Sequence, residues 1–195
     1  MPTPDAPPAS GHAAPHLAHW PRRLPRELAI PATSLWFNLE VSAARFPDKP
    51  AYLFLGQPLP YAELRARAEA LAGWLQAQGL ERGGRVLLFM QNCPQWVVAF
   101  YAVLRAGGVV VPVNPMNKAD EFGHYITDPA ARFAITSRDL AATVHEADAR
   151  LPPDRRLRHL LVASLADALP PAVDPAEAPA APVLAWLHDA SPLPA

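Results

Sequence analysis

The chain has 195 residues, 17 basic and 18 acidic, giving a net charge of −1, and 51% of its residues are hydrophobic. A balance this close to neutral sets up no overall field of one sign that would draw the chain to nucleic acid or an anionic membrane surface. The single cysteine, Cys93, excludes an internal disulfide and fits a reducing compartment.

Proline divides the chain. Ten of the 25 prolines lie in residues 1–50 and seven between Pro170 and Pro194, leaving eight in the 119 residues between. The ordered unit is therefore expected at 33–165. Flanks 1–32 and 166–195 are Ala/Pro-rich and bury too little apolar surface to offset their ordering entropy. The N-terminus has no basic segment followed by an apolar one, so no secretory signal is expected and the cytoplasm is the default.

Residues 33–45, "TSLWFNLEVSAAR", open on two possible N-caps, Thr33 and Ser34, and place Leu35, Leu39 and Ala43 on one helical face. "AYLFL" (51–55) reads as a strand and "GQPLP" as a turn. From Tyr61 the apolar set Tyr61, Leu64, Ala68, Leu71 and Leu75 predicts an amphipathic helix, stopped by Gly79. Its start lacks a capping hydroxyl. Glu63 occupies the third slot of a capping box, but Pro60 stands where Ser or Thr would sit, a loss of about 1 kcal/mol.

"RVLLFM" (85–90) reads as a buried strand. A helix follows from Pro94 to about Ala106, capped by Asn92 or Cys93 and ended by Gly107–Gly108, and "VVVPV" (109–113) is the next strand. The stretch Trp96–Pro115 carries one charge, Arg105, in twenty residues. It is not a membrane span, because Gly107, Gly108 and Pro112 break it into two elements too short to cross. The alternation continues with a helix at 118–128, a strand at 132–137, a helix at 139–149 and a strand at 157–164. Such alternation predicts an α/β fold of three layers, a mostly parallel sheet with helices on both faces.

Four features are weighed for chemistry. "GLERGGR" (79–85) puts glycines before a strand, the reverse of a phosphate loop, and reads as a turn. Cys93 sits at a helix N-terminus, which lowers a thiol pKa, but no neighbouring His can act as its base. His12, His16 and His19 share helical spacing, yet Pro15 and an Ala/Pro tail argue against a rigid metal site. "RRLRH" (155–159) reads most simply as a solvated segment. The residues alone show a fold and no active site.

A resemblance is carried by "FPDKPA", "YAEL" and "QNCPQWVVAFYAVLRAGGVVVPVNP", which occur in order. From Trp20 to Leu169 the chain resembles the N-terminal region of the AMP-forming acyl-CoA synthetases, with bacterial long-chain fatty-acid–CoA ligases the nearest likeness. The resemblance implies that 33–165 is the N-terminal part of the AMP-binding domain, an incomplete subdomain. It implies ATP, Mg²⁺ and CoA as cofactors of the complete enzyme, a fatty acid as its substrate, and a complementary C-terminal ligase portion as a partner. It also implies that the phosphate loop, the aromatic–Thr–Glu adenine motif, the ribose-binding Asp and the catalytic Lys lie downstream. No catalytic, cofactor-binding or metal residue is therefore assigned, and the fragment alone is expected to bind no cofactor and to be inactive. Two positions depart from the family pattern. Pro60 replaces the Thr or Ser before Tyr61, and Gly84 replaces an acid before Arg85. A non-catalytic binding module, and more distantly a thiol enzyme using Cys93, are the alternatives.

Overall fold

The computed structural model describes residues 15–26, 30–168 and 187. The chain divides into two units, 1–33 and 34–195. In the first, Pro15–His19 form a short 3-10 turn and the Trp20 indole donates to the Leu24 carbonyl (3.2 Å).

The second unit begins with helix α1 (Leu35–Arg45). Ser34 caps it, accepting from the Phe37 N–H at 3.3 Å. The buried face is Trp36, Leu39 and Ala43, while Leu35 is exposed. The expected stripe is thus rotated by one residue at its start, because Trp36 buries more surface than Leu35 could. The Arg105 guanidinium lies over the Trp36 ring, 5.4 Å from its centroid. The one charge of the Trp96–Pro115 stretch is thereby held against an aromatic face.

The strand expected at 51–55 is β1 (Pro50–Phe54), and it turns back into β2 (Gln57–Pro60) as an antiparallel ribbon, where "GQPLP" was expected to be a turn alone. Leu55 and Gly56 make the two-residue connection with φ of 48° and 80°. A loop with two positive φ angles is the hairpin geometry that Asn-Gly usually signals. Leucine hides that signal, and Pro58 and Pro60 hide the strand, since proline is tolerated only where the ladder has a free edge. Leu55 packs partly buried against the core, which offsets its backbone cost.

Helix α2 (Tyr61–Ala77) buries Leu64, Ala68, Ala72 and Leu75. Gly79 (φ 87°) ends it: the Leu80 N–H reaches the Leu75 carbonyl and the Gly79 N–H the Gln76 carbonyl, at 2.9 and 3.0 Å. At the other end, Pro60 makes no side-chain cap. Backbone carbonyls act instead, since Lys49 and Pro47 accept from the N–H groups of Tyr61 and Ala62 at 3.1 and 3.0 Å.

The sheet is built from β3 (Arg85–Phe89), β4 (Val109–Pro112), β5 (Phe133–Ser137) and β6 (His159–Ala163), all parallel, in the order β4-β3-β5-β6. Between them run α3 (Pro94–Arg105), α4 (Ala119–Thr127) and α5 (Ala141–Ala149). Consecutive side chains of β3 alternate between two cores. Val86 and Leu88 join the cluster with α1, α2 and α3, while Leu87 and Phe89 join the one with α4 and α5. Burial on both faces explains why "RVLLF" reads as a continuous apolar run. Phe89 and Phe122 pack ring on ring across the second core, 4.6 Å between centroids.

Helix α3 ends as α2 does. Gly107 (φ 83°) and Gly108 donate to the carbonyls of Leu104 and Val103, at 3.1 and 2.9 Å. The result is a three-layer α/β fold with helices on both faces, as the alternation of elements predicts. Among the described residues no helix is long and apolar enough to cross a membrane. Leu187, within the Ala/Pro-rich C-terminal stretch, is buried in the first core.

Candidate functional site

In an open parallel sheet, ligands bind beyond the carboxyl ends of the strands, where the strand order reverses. Here the chain runs from β3 outward to β4, then returns to β5 on the other side of β3. The crevice to inspect lies between the ends of β3 and β5.

That crevice is closed. The Thr136 hydroxyl, fully buried, donates to the Phe89 carbonyl at 2.7 Å and bridges the two strand ends. Cys93, which precedes α3, is buried, and its S–H points to the Met90 sulfur at 3.7 Å. Burial pushes the Cys93 thiol pKa up. N–H groups of Trp96 and Gln95 act the other way, and Asp139 adds to the rise. A thiol held protonated and enclosed is a poor nucleophile at neutral pH.

Gln95 faces the other end of the same edge. Its amide donates to the Ser164 carbonyl at 2.8 Å, tying the start of α3 to the end of β6. Among the described residues, the Gln95 Oε1 and the Ser137 Oγ are buried without a hydrogen-bond partner. Beside Gln95 opens a cavity of about 200 Å³ between α2, α3, β5 and β6, with an apolar floor of Leu71, Val98, Ile135 and Leu161 and Arg67 also in its lining. No local pattern marks Thr136, Gln95 or Ser137 in the sequence, because each matters only through a neighbour brought in by the fold.

The groups described at this edge are hydroxyls, an amide and a protonated thiol, with one carboxylate, Asp139, acting on Cys93 and one cation, Arg67, in the cavity lining. They offer no group of cations for a triphosphate, and among the described residues no cluster of three or more His, Cys, Asp or Glu side chains could hold a metal ion. These residues do not fit a Mg²⁺–nucleotide. Of the other sequence features, "GLERGGR" is a turn: Gly83 (φ 79°) donates to the Gly107 carbonyl at 2.8 Å. Arg156 of "RRLRH" is bound rather than merely solvated, donating to the Leu151 and Ala149 carbonyls at the end of α5. His19 is exposed, and His12 lies outside the described residues.

The sequence pattern of the AMP-binding enzymes matches residues 39–192. The chain belongs to the AMP-binding enzyme family. Among its relatives, a long-chain-fatty-acid–CoA ligase of Bacillus subtilis (strain 168) is 42% identical over 122 residues, 63% of this chain and 22% of that protein. One from Yersinia pestis is 32% identical over 158 residues, 77% of this chain and 27% of that protein. This chain therefore spans about a quarter of the length of these relatives. Among solved structures, the inhibitor-bound N-terminal domain of FACL13 from Mycobacterium tuberculosis superposes with a TM-score of 0.63 at 27% identity, covering 72% of this chain and 36% of that one. A putative long-chain-fatty-acid CoA ligase from Rhodopseudomonas palustris gives 0.62 at 28%, covering 67% and 33%.

Membership in the AMP-binding family gives the two departures a physical reading. Pro60 is compensated by the carbonyls of Lys49 and Pro47. Gly84 sits where a Cβ would come within 2.8 Å of the Leu80 Cδ1 and 2.9 Å of the Glu81 carbonyl oxygen. The turn has closed around a glycine, and an acid at 84 would require Leu80 and the Glu81 peptide to shift.

Proposed function

We propose that this chain is the N-terminal portion of an AMP-forming fatty-acid–CoA ligase and is active only with a complementary ligase portion. The observation that carries this reading is the family match over 39–192, shared with long-chain-fatty-acid–CoA ligases of which it spans about a quarter. In the complete enzyme the fatty-acid carboxylate attacks the α-phosphorus of ATP, with Mg²⁺, to give acyl-adenylate and pyrophosphate. The CoA thiol then displaces AMP. The groups that carry those steps belong to the complementary portion, and this chain supplies the sheet that carries it. Its own residues bind none of ATP, Mg²⁺ or CoA, a reading supported by the buried, closed edge at Thr136 and Cys93. The buried free thiol also fits work in the cytoplasm.

A docking face for the complementary portion on helix α3 is supported by its apolar stripe. Trp96, Val97, Phe100, Tyr101 and Leu104 recur at helical spacing and remain half-buried, with Trp96 and Phe100 stacked at 5.3 Å. The same stripe favours a second reading, a non-catalytic module that pairs with a full-length ligase chain. Sequencing several hundred bases beyond codon 195 separates them. An open frame that runs into a Gly/Ser/Thr-rich loop supports the ligase portion. A stop followed by unrelated sequence transfers the proposal to the pairing module.

A further inference from the structure

At the opposite, amino-terminal end of the sheet, three arginines stand in one row. Val86 of β3 pairs with Phe133 of β5, and Phe133 pairs with His159 of β6. The residues immediately before them, Arg85, Arg132 and Arg158, therefore lie side by side at the starts of three adjacent strands. The Arg158 N–H donates to the Arg132 carbonyl at 2.8 Å, which carries the strand pairing through this row. Neighbouring strands are about 4.8 Å apart, and like charges placed directly across a ladder destabilise it.

Some arginines elsewhere are neutralised by ion pairs. Arg65, Arg67 and Arg150 pair with Glu69, Glu63, and Asp120 with Glu146. Among the described residues Arg85, Arg132 and Arg158 form no ion pair. Instead all three line one depression of about 290 Å³, floored by Leu80 and Phe133, in which Glu81 is the single carboxylate. One Arg132 nitrogen is spent on the Arg156 carbonyl, at 2.9 Å, which fixes that guanidinium in place. Three cations against one anion leave a local excess of two positive charges in a concave site.

We propose that this row is a binding site for a phosphate group, taken from a soluble phosphate compound or from a lipid headgroup. A phosphate dianion matches the charge excess, and guanidinium forks donate paired N–H groups to its oxygens. The site is separate from the carboxyl edge of the sheet and from the α3 stripe, so it does not depend on the proposed ligase activity. Arg158 belongs to "RRLRH", but Arg85 and Arg132 come from distant segments, so only the pairing of β3, β5 and β6 assembles the site.

The test uses the full 195-residue chain and titrates inorganic phosphate, diphosphate and, separately, phosphatidylcholine vesicles with and without phosphatidic acid, at low ionic strength. Saturable one-site binding is expected, weakened at least tenfold in Arg85→Gln and in Arg158→Gln, both exposed positions. Arg155→Gln, outside the depression, should leave it unchanged. Binding of free phosphate or diphosphate identifies a soluble ligand, whereas binding confined to phosphatidic acid vesicles identifies a headgroup. No saturable binding of any probe, or equal weakening by Arg155→Gln, overturns the proposal.

Discussion

Cys93 shows how one residue changes meaning between a string and a fold. At a helix start a cysteine is a candidate nucleophile. Enclosed beside Met90, with its pKa raised first by burial, it stays a thiol. A raised folded-state pKa binds the proton more tightly than the unfolded chain does. The Cys93 contribution to stability should be constant below about pH 8.5 and fall as pH rises through the folded value, at up to about 1.4 kcal/mol per pH unit. Urea unfolding of the wild type and Cys93→Ala from pH 7 to 10.5 checks this. The difference between the two curves should decline above pH 8.5, and a constant difference would remove the cause assigned to the shift. At Pro60, the carbonyls of Pro47 and Lys49 leave the Glu63 N–H as the group a hydroxyl could reach. Pro60→Thr should therefore stabilise by less than about 1 kcal/mol; a larger gain in unfolding free energy would show that the backbone capping is weak.

Among the elements, α3 and β4 carry the most information. The apolar run from Trp96 was legible as a helix, a glycine stop and a strand because Gly107 and Gly108 have separate jobs. Gly107 takes a left-handed φ of 83° with only ordinary contacts to Arg82. Gly108 sits where a Cβ would lie 3.0 Å from Val103 Cγ1 and 3.1 Å from the Gly84 carbonyl oxygen. Gly107→Ala should cost about 1 kcal/mol through backbone strain. Gly108→Ala should cost more, since backbone on one side cannot yield. Thermal unfolding of both variants tests the order; equal or reversed losses would contradict it. The strands β3 to β6 and their helices were legible for the same reason, a period set by burial on both sheet faces. Strand β1 was legible too, but its hairpin to β2 was not, because a leucine occupies the positive-φ position and prolines occupy the second strand. The candidate site was least legible. Thr136, Gln95 and Ser137 are unremarkable locally, and the arginine row exists only once three strands are in register.

For the molecule as a whole, the two cores close the sheet on both faces, yet α3 keeps Trp96, Phe100 and Tyr101 half-buried. Burying the rest of that stripe against a complementary portion would contribute at roughly 25 cal/mol per Å² of apolar surface. The family is evident from whole blocks of sequence. The chemistry is not, because on the proposed reading the groups that carry it belong to the complementary portion. The most direct measurement is acyl-CoA formation from palmitate, ATP, Mg²⁺ and CoA, with the chain alone and then mixed with the remaining three quarters of a related long-chain ligase. The account predicts no turnover alone and turnover on mixing that is lost in Phe100→Asp. Turnover by the 195-residue chain alone would contradict it.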